Sequence, residues 1–198
     1  MKSNTKNLVL CAICAALICV LAPVSIPMPG GVPISLATFA VMLAGLLLGA
    51  GYGTVSALIY LVLGAVGVPV FAGWTAGIGK LAGPTGGYLV GYLALTSVIG
   101  AIYFSFGRNK KGAMKIVLMA AAMIAGTVVL YVFGTAWFVI ATHTPLVTAL
   151  GYCVLPFLIG DAIKMIVLMI IVPAIEHALL KTGNIEISTA DNNVQAAK

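Results

Sequence analysis

"LATFAVMLAGLLLGAGYGTVSALIYLVLGAV", residues 36–66, contains no Asp, Glu, Lys or Arg, and its reading decides the fold. Two apolar runs, 36–48 and 52–66, flank a very short glycine turn, GAGYG. Backbone polar groups find no partner in lipid, so apolar runs of this kind are helices that run into the hydrocarbon and back. The rest of the chain agrees. Hydrophobic residues make up 62% of its 198 positions and charged residues 7%, whereas soluble chains are about 45–50% apolar. A span needs about 20 mostly apolar residues, so this length holds roughly six spans with short connections and no second soluble domain.

Outward from that pair, the first run covers residues 7–21 and stops at "APVSIPMPGGVPIS". Proline at this density cannot continue a helix, so residues 23–35 are predicted to be an extended loop. The charged start and apolar run resemble a signal peptide, but no small-x-small cleavage site follows, and a retained first helix is expected. After the glycine-rich stretch at residues 67–87, a fourth run spans 87–106 and a fifth spans 113–141, long enough to tilt or bend at Gly126 or Gly134. "THTPLVTALGYCVL" suggests a short, partly inserted helix, and the sixth run goes from Pro156 to about Leu180. Residues 1–183 are thus expected to form one all-α, six-helix membrane domain, and 184–198 a polar, disordered tail.

The basic residues act as topology signals. Lys2, Lys6, the cluster Arg108, Lys110, Lys111 and Lys115, and Lys181 and Lys198 all fall on the side shared by the termini, and the opposite side holds only Lys80. Both termini are therefore expected in the cytoplasm, with the two Pro/Gly loops facing outward. Scattered along an apolar chain, these cations form no basic stripe, so no nucleic-acid partner is expected. The lateral partner is membrane lipid.

The anomaly is "PFLIGDAIKM", residues 156–165. Asp161 is the first acidic residue of the chain, and Lys164 follows one helical turn later. Each charge costs about 2.5–3.5 kcal/mol in mid-membrane on insertion scales, so such residues pair, face a cavity or bind something. Positions i and i+3 share a helix face. A start at Pro156 puts the pair about 7–8 Å down the helix, in the outer third of the membrane below the outward loops. Either the pair is a structural brace, or it forms the wall of an outward-facing pocket. Among the loop aromatics, Phe71, Trp74 and Tyr88 are interfacial anchors or walls of that pocket.

Other chemistries fit poorly. "GIGKLAG" lacks the phosphate-loop pattern, since Leu81 follows Lys80 and Trp74 occupies the earlier glycine position, so any ATP-driven step belongs to another chain. One embedded acid is too few for an aspartyl protease, and His143 and His177 lie near opposite ends of the bundle, so no enzyme is expected. Cys11 and Cys14 form a C-x-x-C with no second pair or nearby His, and read as packing residues, with no metal and no cofactor expected. Small pairs at four-residue spacing, Ala12 with Ala16, Gly45 with Gly49 and Gly87 with Gly91, allow close helix approach.

Four motifs in order, "GVPISLATFAVMLAGLLLG" (31–49), "GAVGVPVFAG" (64–73), "GPTGGYLVGY" (83–92) and "PFLIGDAIKM", make the chain resemble the BioY family over residues 8–180. These are the biotin-specific S components of energy-coupling factor (ECF) transporters. The resemblance implies an S-component fold in the cytoplasmic membrane and capture of biotin from outside. It also implies an energising module made of a T component and two ATPases. The family's Asp-x-x-Lys falls on Asp161 and Lys164, Thr85 and Tyr88 become pocket residues, and Ala12 and Ala16 match the family's docking face for the T component. The expected arrangement has the ion pair on biotin's ureido ring, with the carboxylate near Lys80 or outer backbone N–H groups. Many members read Thr-Leu-Gln-Thr where this chain has Ser35-Leu36-Ala37-Thr38, which leaves Thr38 as the candidate contact. An S component for another vitamin, or a structural subunit without a ligand, are the alternatives.

Overall fold

Gly49 turns the second apolar run back on itself. In the computed structural model, which describes residues 2–28 and 31–181, helix α2 (Ala37–Ala65) is broken at this residue, with φ 75° and ψ −173°. Only glycine adopts that conformation without strain. The two arms, 37–48 and 50–65, then press together: a Cβ on Gly53 would stand 2.8 Å from the Ala44 carbonyl oxygen. The predicted pair of spans is therefore a helical hairpin with almost no loop.

Around it, α1 (Lys2–Leu21) packs on α2, and α4 (Gly86–Ile102) is sandwiched between α2 and α5 (Gly112–Thr142). Glycines set these close approaches. A Cβ on Gly100 would lie 2.1 Å from the Ala50 nitrogen, and one on Gly126 would lie 2.7 Å from Ile99. Gly126 and Gly134 serve as contact points, the second beneath the ring of Tyr88, and α5 runs as one helix through both instead of bending there. Beyond Ile102, α4 continues through one π-helical turn, Tyr103–Gly107, in which the Arg108 N–H donates to the Tyr103 carbonyl at 2.8 Å.

The two Pro/Gly-rich connections, the outer loops of the expected topology, are more ordered than prolines and glycines suggest. β1 (Ser25–Ile26) pairs antiparallel with β2 (Ile34–Ser35), where an extended loop was predicted, and a short helix α3 (Ile78–Ala82) forms within the glycine-rich stretch. The small helix α6 (Leu146–Cys153) lies where a partly inserted helix was expected, and α7 (Leu155–Lys181) closes the bundle. The tail 184–198 lies outside the described residues.

Among the described residues, four segments are long and apolar enough to cross a membrane, Ala37–Ala65, Gly86–Gly107, Gly112–Thr142 and Leu146–Leu179, and α1 adds the shorter apolar run Thr5–Leu21. Counting the arms of α2 separately, six long helical segments result, as expected. The core between them holds Ile18, Met42, Leu46, Leu95, Ile99 and Met123, each fully buried. Outward positions are equally apolar, with Ile140, Ile159 and Ile170 each 70% or more exposed. A surface of that kind fits lipid and not water. The chain is a multi-pass membrane protein.

Candidate functional site

A cavity of about 350 Å³ opens between the outer loops and the helices beneath them. That size lies within the range of small-molecule sites, about 300–1,000 Å³. Six of the seven residues singled out as ligand contacts line it: Asp161, Lys164, Thr38, Tyr88, Thr85 and Lys80. Trp74 does not line it. That residue sits on the outer loop in a left-handed conformation (φ 59°) and is 66% exposed. Ala12 and Ala16 lie elsewhere, on the exposed face of α1.

Asp161 and Lys164 share one face of α7, as their spacing requires, and both are buried. The ammonium of Lys164 donates to Asp161 Oδ1 at 3.0 Å, to Thr38 Oγ1 at 2.8 Å and to the Ser35 carbonyl at 2.8 Å. All three of its protons are therefore used. The Asp161 carboxylate accepts also from Thr38 Oγ1 at 3.2 Å and, through Oδ2, from the hydroxyl of Tyr131 at 2.7 Å. The chain bends at Leu36, between β2 and α2. That bend brings the Ser35 carbonyl and the Thr38 hydroxyl to the same cation. Ala37, at the family's glutamine position, is buried and does not line the cavity.

Buried charges are tolerated only when paired and hydrogen-bonded. That condition is met without any ligand, and among the described residues no buried side-chain nitrogen or oxygen lacks a partner. A ligand that enters must therefore exchange hydrogen bonds with this network. Sites that are hydrogen-bonded before binding select strongly against molecules that cannot replace those bonds.

Part of the remaining wall is aromatic. Tyr60 meets Phe71 edge to face with centroids 5.5 Å apart, and Tyr92 lies 6.4 Å from Tyr60. Tyr88 stacks on Phe157 at 6.5 Å and donates its hydroxyl proton to the Cys153 carbonyl at 3.0 Å, joining α4 to α6. Gly64 makes room for Phe71, since a Cβ there would stand 2.1 Å from the ring.

The rim explains the "GPTGGY" motif. The indole N–H of Trp137 on α5 donates to the Gly83 carbonyl at 2.9 Å, and a Cβ on Gly87 would stand only 2.2 Å from that of Trp137. The bare Gly87 thus lets α5 reach the start of α4, beside Thr85 in the rim. On the opposite side the Gly73 N–H donates to the Pro23 carbonyl at 3.0 Å, tying the two outer loops together.

Tyr131, Tyr92, Ser35 and Phe157 were not singled out from the sequence. A tyrosine within an apolar helix has the look of core or interface, and Ser35 contributes a carbonyl that every residue possesses. Among the described residues no group of His, Cys, Asp or Glu is arranged to hold a metal.

Compared with solved structures, the fold matches "the S-component for biotin from an ECF-type ABC transporter" with a TM-score of 0.80 at 29% identity, covering 89% of this chain and 93% of that one. Fold and site thus define the class: an S component, a membrane transport subunit and not an enzyme. The family model described as the BioY family matches residues 1–181, and the chain belongs to that family. It is 38% identical to the biotin transporter BioY2 of Lactococcus lactis subsp. cremoris, over 91% of this chain and 96% of the relative. It is 37% identical to the biotin transporter BioY of Thermotoga maritima, over 84% and 93%. It is likewise 37% identical to the probable biotin transporter BioY of Pyrococcus horikoshii, over 81% and 90%.

Proposed function

We propose that this chain captures biotin from outside the cell and hands it to an energising module for uptake. The observation that carries the reading is the Asp161–Lys164 pair, buried and fully hydrogen-bonded in the wall of an aromatic cavity. Biotin's ureido ring offers two N–H donors and one carbonyl acceptor, so a carboxylate and an ammonium side by side complement it. On entry, a ring N–H takes up a lone pair of Asp161, and the ring carbonyl replaces Ser35 or Thr38 as an acceptor for Lys164. Lys164 keeps three acceptors in this exchange, and apolar surface leaves water. The rings of Phe71, Tyr88 and Tyr92 pack against the bicycle and chain. The valerate carboxylate lies toward the rim, where Lys80 is exposed and backbone N–H groups are near. Biotin is cargo in this scheme, and the subunit needs no prosthetic group.

Membership of the family supports a wider assembly. The chain sits in the cytoplasmic membrane with both termini in the cytoplasm, and a T component with two ATPases supplies the energy. Exposure of Ala12 and Ala16 on α1 supports that face as the docking surface, because small side chains let a partner helix approach closely.

Purification without added vitamin, followed by mass spectrometry of the copurified small molecules, tests the reading. Biotin is expected. A different vitamin would reassign the site, and an empty protein under several conditions would favour a structural brace.

A further inference from the structure

Helix α7 meets the bundle along one stripe, Phe157, Asp161, Lys164, Leu168, Val172 and Glu176, all buried, while Ile159, Ile163, Ile166 and Ile170 face outward. Half of that stripe is ionisable. Asp161 and Lys164 belong to the outer cavity, but Glu176 lies 15 residues beyond Asp161, about 22 Å further along the helix.

Glu176 has its own network. Its carboxylate accepts from the Lys115 ammonium, at the start of α5, and from the Tyr103 hydroxyl at 3.1 and 3.3 Å, in the π turn that ends α4. Tyr103 is fully buried, and the π turn places Gly107 beneath its ring, where a Cβ would stand 2.6 Å away. Single π turns frequently mark functional positions. Arg108 completes the cluster, its guanidinium 4.3 Å from the centre of the Phe104 ring.

Stability alone is a weak reason for this arrangement. A buried ion pair is often no better than apolar residues of the same volume. What the pair supplies is geometry. Leu168 and Val172, the apolar residues of the stripe between the two networks, have no directional preference and would tolerate α7 sliding or turning. α7 runs as one helix from Leu155 to Lys181 through Pro173, so a register fixed at Glu176 is carried along it to Asp161 and Lys164. The positions of α7 that accept only one register are the charged ones.

We infer that Glu176, held by Lys115 and Tyr103, is a positioning residue for the outer cavity. It sets the axial register of α7, and so the point at which Asp161 and Lys164 meet Ser35, Thr38 and Tyr131. Its ligand readout rests on the biotin reading, but its geometry does not.

The test uses the full chain in lipid nanodiscs. The rate of biotin dissociation is measured for wild type, Glu176→Gln, Tyr103→Phe and the charge swap Lys115→Glu with Glu176→Lys. A dissociation rate reports only on molecules that have bound, so a smaller folded fraction does not change it. Coupling between sites typically amounts to 5–150-fold, and dissociation about tenfold faster is expected for Glu176→Gln, less for Tyr103→Phe, with recovery in the swap. Tyr103→Phe also keeps the question open should Glu176→Gln not fold. Wild-type rates in the folded single variants would overturn the inference. Amide hydrogen exchange of residues 155–172 in the ligand-free proteins forms a second arm. Faster exchange in Glu176→Gln supports the inference, and unchanged exchange overturns it. A wild type that binds no biotin would sink the biotin reading instead, and the exchange arm then decides alone.

Discussion

Tyr131 shows what a single hydroxyl does at this site. It donates to the Asp161 oxygen that Lys164 leaves free, at 2.7 Å, and so holds the carboxylate plane against the cavity. Hydrogen bonds to charged groups contribute about 1.5–3 kcal/mol. Tyr131→Phe is expected to lower stability by about that amount in a detergent-resistance or thermal-unfolding assay. It is also expected to weaken biotin less than removal of either charge, because the ion pair survives. Thr38→Val removes a hydroxyl that accepts from Lys164 and donates to Asp161, and a larger loss of affinity is expected there by equilibrium binding. The charges were legible in the sequence because a lone acid and base in an apolar chain have no ordinary explanation. Tyr131 and Ser35 were not, because neither residue type is anomalous where it stands. Only the fold brings β2, the first arm of α2 and α5 to one point on α7.

At the scale of elements, glycines decide how closely the helices approach, and their neighbours separate the needed ones from the neutral ones. Gly53→Ala would put a methyl 2.8 Å from the Ala44 carbonyl oxygen, whereas nothing lies within 4 Å of a Cβ on Gly51. Overpacking costs about 1–3 kcal/mol, and an exposed helical Gly→Ala gains up to about 1 kcal/mol. The thermal unfolding temperature is therefore expected to fall for Gly53→Ala and to hold or rise for Gly51→Ala, although the two positions are only two residues apart in one arm. The helical runs themselves were readable, since an apolar stretch bounded by proline or glycine leaves few choices in lipid. The short β1–β2 ladder and α3 were not. Their backbone hydrogen bonds are made by residues whose composition indicates only a loop, and tertiary contacts such as the Gly73 N–H to the Pro23 carbonyl order them. Gly126 and Gly134 were read as possible bends and proved to be contacts, a distinction set by what faces them.

For the whole molecule, two faces divide the work. The cavity opens at the end that holds the outer loops, and α1 presents Ala12 and Ala16 on a separate exposed surface. Ala12→Leu with Ala16→Leu is accordingly expected to leave biotin binding by the isolated subunit within about twofold. If that face docks the proposed T component, the same change abolishes copurification with it and its ATPases, because close helix approach requires small residues. Loss of binding in the isolated variant would show that the face also shapes the cavity. The pair on α7 remains the centre of the reading. The measurement that bears on it most directly is calorimetric titration of biotin into folded, monodisperse wild type, Asp161→Asn and Lys164→Ala. If the pair holds the ureido ring, each substitution weakens biotin by about 2–3 kcal/mol, roughly a hundredfold, since each leaves a buried partner unsatisfied. Wild-type affinity in both variants would place biotin elsewhere and leave the pair as a brace.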